Sequence, residues 1–193
     1  MRHKRVGRKL GRNPKHQRAL LRNLVIGLLM TEQDIDEKDL KPSDPRPPKY
    51  KGRIITTITK AKEVRPLVEK CVTLARKAQK HITAAEKFET QAERGSSQWK
   101  KWRESDQWQQ WNKTIAPALA LRRRALQLLG SKEAVSILFD KIGPRFEDRE
   151  GGYTRILRLS TPRLGDAGVR AILEFVGEND RTKRAPIVPT VED

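Results

Sequence analysis

Histidine, cysteine and paired carboxylates are the usual starting points for chemistry, and in this chain they are few or scattered. The three histidines, His3, His16 and His81, and the single Cys71 have no spacing that assembles a zinc site. His3 and His16 sit among Arg and Lys, where phosphate or solvent contact is the expected use. His81 falls at the end of an expected helix, a surface position. The carboxylates mostly neighbour Lys or Arg, as in Asp140-Lys141 and Glu147-Asp148-Arg149-Glu150, and solvated ion pairs account for them. No nucleophile, base and orienting group come together, so neither catalysis nor a metal, cofactor or small-molecule substrate is expected. Gly151-Gly152 lacks the Gly-x-x-x-x-Gly-Lys spacing of a phosphate loop and is better read as a tight turn leading into a strand at Tyr153.

What does accumulate is positive charge. Lys and Arg number 42 against 24 Asp and Glu, a net charge of +18 in 193 residues with a pI near 10.4. Such an excess repels itself in a compact state unless a polyanion neutralises it, which points first to nucleic acid and second to an anionic membrane. The longest apolar run, Leu24-Val25-Ile26-Gly27-Leu28-Leu29-Met30, falls far short of the ~18 residues that span a bilayer. A signal peptide or a mitochondrial presequence is disfavoured, since no small-residue cleavage pattern follows that run and Glu32 ends it. One cysteine excludes an internal disulfide and fits a reducing, cytoplasmic setting.

These basic residues need elements to position them. Residues 1–31 hold nine Lys and Arg and no acid. Residues 1–12 read as an irregular arm that cannot fold alone, bearing Arg2, Lys4, Arg5, Arg8, Lys9 and Arg12. Asn13 as N-cap and Pro14 at the first position then open a helix. Leu20, Leu21, Leu24, Val25, Leu28 and Leu29 recur at spacings of three and four and form its core wall. Lys15, Arg18 and Arg22 lie on another stripe, either a phosphate rail or a merely solvated face. Residues 34–53, acidic and then proline-rich, read as an extended excursion.

Ile54-Ile55-Thr56-Thr57-Ile58 is β-branched and reads as a strand. Thr59 is expected to cap a helix to about Lys80, with Pro66 marking a kink or a later start. Val64, Leu67, Val68, Cys71, Val72, Leu74 and Ala75 form its buried stripe, which makes Cys71 a core residue. Residues 81–113 hold all four tryptophans, Trp99, Trp102, Trp108 and Trp111. On a helix these rings point in two opposed directions and make no single stacking platform. They could dock the segment onto its own domain, meet a partner protein or stack on RNA bases. A helix after Pro117 carries Arg122-Arg123-Arg124 and ends near Gly130. Ser131 caps another, stopped by Gly143-Pro144, and strands at 153–159 and 169–176 close a hairpin. The basic positions Lys60, Lys62, Arg65, Arg145, Arg149, Arg155 and Arg158 suit sequence-tolerant phosphate contact.

Three blocks carry a more specific signal: MRHKRVGRKLGRNPKHQRALLRNLVIGLLMTEQ, IITTITKAKEVRPLVEKCVTLARK and LFDKIGPRFEDREGGYTRILRL. In this order they closely resemble the family of ribosomal protein seventeen of the bacterial large subunit. The resemblance implies an α+β fold, a single compact domain of packed helices on a small mixed β-sheet. To it are added the basic arm at 1–12, the domain at 13–176 with insertions at about 34–53 and 81–120, and a flexible tail at 177–193. It also implies a structural, non-enzymatic role on the ribosome in the cytoplasm, with large-subunit (23S) rRNA and neighbouring proteins near the polypeptide exit side as partners. Matching positions for rRNA contact are Arg2, His3, Arg5, Arg8, Arg12, Asn13, His16, Arg18, Arg22 and Asn23, then Lys60, Lys62, Arg65, Arg145, Tyr153, Thr154 and Arg155. The rail residue Lys15 and the arm residues Lys4 and Lys9 join them on charge alone.

Overall fold

A computed structural model describes residue 8, residues 10–34, residue 48 and residues 50–177 of the chain. The first helix, α1, spans Pro14–Met30 as the sequence predicts, because the Asn13 side chain accepts a hydrogen bond from the Lys15 amide (2.8 Å) and Pro14 occupies a position that needs no donor. Val25, Leu28 and Leu29 are its buried residues. Beyond its end, the Thr31 hydroxyl donates to the Leu28 carbonyl (2.6 Å) and accepts from the Gly52 amide (3.0 Å), tying the helix to the approach of the first strand. Gly52 has φ +71, and a Cβ there would lie 2.7 Å from Glu32 Oε1. Only glycine passes this point without displacing Glu32.

Strand β1 is Arg53–Thr57, and α2 follows at once over Ile58–Glu86. The expected cap, Thr59, is the second residue of this helix; Thr57 holds the cap position and its hydroxyl meets that of Thr59 at 3.2 Å. Pro66 lies within the helix and does not start it. Ala61, Val64, Val68, Cys71, Val72, Ala75 and Ala78 run along its buried face, so packing outweighs the hydrogen bond that the proline removes. The same burial carries the helix past Lys80 to Glu86 and puts His81 within it, half-buried.

After a turn come α3, Ser97–Glu104, and α4, Asp106–Leu129. α4 starts well before Pro117, which it contains, and ends on Gly130 in the left-handed conformation (φ +79). It packs along α2, burying Ala118, Ala125 and Leu129. Ser131 caps α5, Lys132–Ile137, its hydroxyl accepting from the Ala134 amide at 3.3 Å. Gly143-Pro144 does not stop this helix. It widens into a π-helical turn, Leu138–Ile142, and a last turn, Gly143–Arg145, opens with Pro144 near its start. The widened turn leaves the Phe139 carbonyl to the buried Gln79 amide (2.9 Å), and a Cβ on Gly143 would meet that amide nitrogen at 2.6 Å. A side chain at 143 would therefore displace the group that satisfies the turn.

The hairpin is present as β2, Thr154–Arg158, and β3, Arg170–Phe175. The sheet has the order β1-β3-β2 with both pairings antiparallel, a correction to the mixed sheet expected. β1 and β2 point the same way but never touch, because β3 lies between them. Leu173 and Ala171 face the helices, together with Ile54 and Ile156 from the flanking strands. Phe146, Tyr153 and Phe175 close one end of the core, with ring centroids 5.2 and 6.1 Å apart. The fold is α+β, mostly helical, with one small sheet.

Candidate nucleic-acid interface

The first turns of α2 and the edge strand β2 leave a groove between them. Ile58, Lys62, Arg65, Thr154, Arg155, Ile156 and Arg158 line a cavity of about 520 Å³. Lys62 and Arg65 are three apart on a helix and share a side. No residue of the lining is acidic.

Glu69, one turn beyond Arg65, sets the groove's geometry. Its carboxylate accepts from the Tyr153 amide (3.1 Å), the Thr154 amide (3.0 Å) and the Thr154 hydroxyl (2.6 Å), and Arg65 Nε stands 3.8 Å away. The chain reaches this carboxylate through Gly152, whose φ of +67 turns it toward α2. One acid thus fixes the strand against the helix, and the cations around it outnumber it. Arg155 Nε donates to Glu174 Oε1 (2.5 Å), while Arg53 Nε approaches Glu174 Oε2 at 3.7 Å, so β3 carries a carboxylate between the arginines of both neighbours.

α1 supplies a second tract. Lys15, His16, Arg18, Arg22 and Asn23 are all exposed on it, as are Arg8 and Arg12 ahead of it. Arg22 Nη2 reaches the Gln127 carbonyl at 3.5 Å, and Arg124 Nη1 donates to the Gln127 side chain at 2.5 Å. The α1 rail is thereby joined to the C-terminal end of α4, where free carbonyls attract cations. Arg2, His3, Lys4, Arg5 and Lys9 lie outside the described residues.

Some sequence-predicted contacts are held within the domain. Asn13 is engaged as the helix cap. Tyr153 is 1% exposed, with its hydroxyl unpartnered among the described residues, and Thr154 is buried with its hydroxyl on Glu69. Arg145 joins Glu32 Oε1 (3.1 Å) to the Val176 carbonyl (3.1 Å) and lies over the Phe146 ring at 5.4 Å. Lys60 is half-buried and stands apart from the groove lining. Sequence reasoning missed Glu69 and Glu174. The spacing of Arg65 and Glu69 by four offered a signal only for a surface ion pair, and nothing local marks a residue that bonds a strand far along the chain.

The tryptophans form two arrangements on α3 and the start of α4. Trp102 meets Trp111 edge-on (5.6 Å) and donates Nε1–H to the Phe88 carbonyl (3.1 Å). Arg103 stands between Trp99 (5.1 Å) and Trp108 (5.9 Å). The break at Ser105 divides the expected single helix in two, and each arrangement joins a tryptophan of α3 to one of α4.

No described helix is long and apolar enough to cross a membrane. The family described as Ribosomal protein L17 matches residues 49–176, from before β1 to the end of β3. A protein named large ribosomal subunit protein bL17 from Rhodopirellula baltica is 57% identical over 192 residues, covering 100% of this chain and 89% of its own length. Proteins of the same name from Acidobacterium capsulatum (36% identity, 96% of this chain, 81% of the relative) and Nitratidesulfovibrio vulgaris (34%, 91% and 87%) are also similar. With most of the chain matched by that family and a relative this similar over its whole length, the chain belongs to the bacterial ribosomal protein L17 family.

Proposed function

We propose that this chain is a structural constituent of the bacterial large ribosomal subunit that binds and stabilises large-subunit rRNA through phosphate contacts, and not an enzyme. The observation that carries the reading is the acid-free groove in which Lys62, Arg65 and Arg158 converge between α2 and β2, with Arg155 lining its strand edge. Several cations on rigid elements, with their one underlying carboxylate engaged by backbone amides, suit a phosphate backbone and give no means of reading bases. The α1 rail of Lys15, Arg18 and Arg22, with His16 and Asn23 beside it, provides a second line of contact, and the residues of 1–12 a third. Tyr153 and Thr154 act by shaping the groove wall, and Arg145 by holding α1 to the end of β3. Neighbouring large-subunit proteins near the polypeptide exit side complete the setting, in the cytoplasmic ribosome.

The test is a salt series of binding to large-subunit rRNA. Replacing Lys62, Arg65 and Arg158 together by Ala lowers the slope of log affinity against log salt by about 2 to 3, at roughly 0.7 to 0.9 per lost phosphate contact. An unchanged slope in a folded variant removes the groove from the interface.

A further inference from the structure

The sheet has a second face, turned away from the helices. Strand alternation puts Arg53, Ile55 and Thr57 of β1, Arg170, Ile172 and Glu174 of β3, and Arg155 and Leu157 of β2 on it. The register aligns Ile55, Ile172 and Leu157 directly across the three strands. Ile55 is 57% and Leu157 43% exposed. A one-sided antiparallel sheet ordinarily alternates apolar inward with polar outward, yet here every strand puts an aliphatic residue at the centre of its outer face. Ile172, between Ile55 and Leu157, is half-buried.

The rims say what kind of surface would fit. On one side lies the row Arg53–Glu174–Arg155, two cations to one carboxylate. On the other, Thr57 and Arg170 pair across β1 and β3, and Arg170 has no carboxylate partner among the described residues. The face is therefore apolar at its centre and cationic at its edges. Aliphatic side chains offer no ring on which a base could stack and no donor for a base edge. They gain by meeting other aliphatic side chains.

We propose that this outer face, the row Ile55–Ile172–Leu157 between its arginine rims, seats a segment of another protein that brings aliphatic side chains flanked by carboxylates. The proposal rests on the ribosomal reading only in taking that protein to be a neighbour within the particle. The groove between α2 and β2 opens at the strand edge, so RNA and protein can be held at the same time.

The experiment places a diazirine-bearing amino acid at position 157 of the full-length protein and irradiates purified large subunits that contain it. The expected product is a cross-link to a protein segment with Asp or Glu beside aliphatic residues. For the companion variants the probe is moved to position 55, which leaves position 157 free for substitution. There Arg170→Glu lowers the adduct yield about twofold to fivefold, and Leu157→Asp lowers it about tenfold or more. Urea unfolding confirms that both variants fold, and sedimentation with the subunit is scored separately, because loss of sedimentation speaks against the ribosomal reading while loss of the adduct alone speaks to this face. An adduct only to RNA, an adduct within this chain, a protein segment without carboxylates, or no adduct overturns the proposal.

Discussion

Glu69 and Thr154 are joined twice, through the Thr154 amide at 3.0 Å and its hydroxyl at 2.6 Å, across 85 positions of sequence. This bracket holds the edge strand to the central helix and so determines the width of the basic groove. Glu69→Ala removes the acceptor of three donors and is expected to cost about 2 to 4 kcal/mol, since a bond to a charged group contributes roughly 1.5 to 3 kcal/mol and orphaned amides add a desolvation penalty. Glu69→Gln keeps one good acceptor and costs less. Urea unfolding of the two variants checks this; a loss below about 1 kcal/mol for the alanine variant shows that the bracket is dispensable.

Cys71 lies on the buried face of α2, and burial pushes its thiol up to about 11. Because the thiolate is the reactive form, a thiol reagent at pH 8 is expected to label the native protein at least about 100-fold more slowly than the urea-unfolded chain. The native rate should keep rising with pH well past the ordinary thiol range. Comparable rates for folded and unfolded protein would place Cys71 on the wrong side of the helix.

Asp34 receives Lys141 (2.5 Å) and Lys51, and these hydrogen bonds hold its carboxyl near 2. A lowered pKa means that these contacts favour the fold above the ordinary value of 3.8 and are lost as pH falls toward 2. Carbon-detected NMR should find the Asp34 midpoint well below that of a free aspartate. In Lys141→Ala the midpoint moves up toward the ordinary value, and no movement would show that Lys141 is not the cause.

Trp102 holds the α3 segment through its bond to the Phe88 carbonyl and its edge contact with Trp111. Trp102→Ala is expected to speed amide exchange across 97–111 by about 5- to 30-fold, matching 1 to 2 kcal/mol for an aromatic pair and a hydrogen bond. The amides of α2 between 64 and 75 should keep their protection. Incorporation into large subunits should survive replacement of residues 89–112 by a short linker, because the segment stands apart from both basic tracts; its loss in a folded variant would assign the tryptophans a contact in the particle.

The arm carries its charge with little apolar company beyond Val6 and Leu10. A chain beginning at Asn13 is expected to bind large-subunit rRNA with a salt slope smaller by roughly three to five units if most of Arg2, Lys4, Arg5, Arg8, Lys9 and Arg12 meet phosphates. An equal slope for the two chains would leave the clamping to the α1 rail and the groove.

The local features were legible in the sequence because their causes are local. Asn13-Pro14 opens α1, Gly130 and Ser131 separate α4 from α5, the β-branched residues 54–57 give β1 although Ile58 already begins α2, and periodic apolar residues give the buried face of α2, Cys71 included. Net charge alone pointed to a polyanion. Where a local signal met tertiary packing, packing prevailed: Pro66 and Pro117 lie inside helices, because the burial along α2 and α4 outweighs one missing hydrogen bond. Only the tertiary structure decided that β3 stands between β1 and β2, and hence that the sheet is antiparallel throughout. It alone also sorted cations of one sequence type into different roles, leaving Lys62, Arg65 and Arg158 around an open groove while Arg145 closes on Glu32 and Val176. A residue's charge is fixed by its type, but its availability to an anion depends on which carboxylates and carbonyls the folded chain brings within reach, and those come from positions far away in sequence.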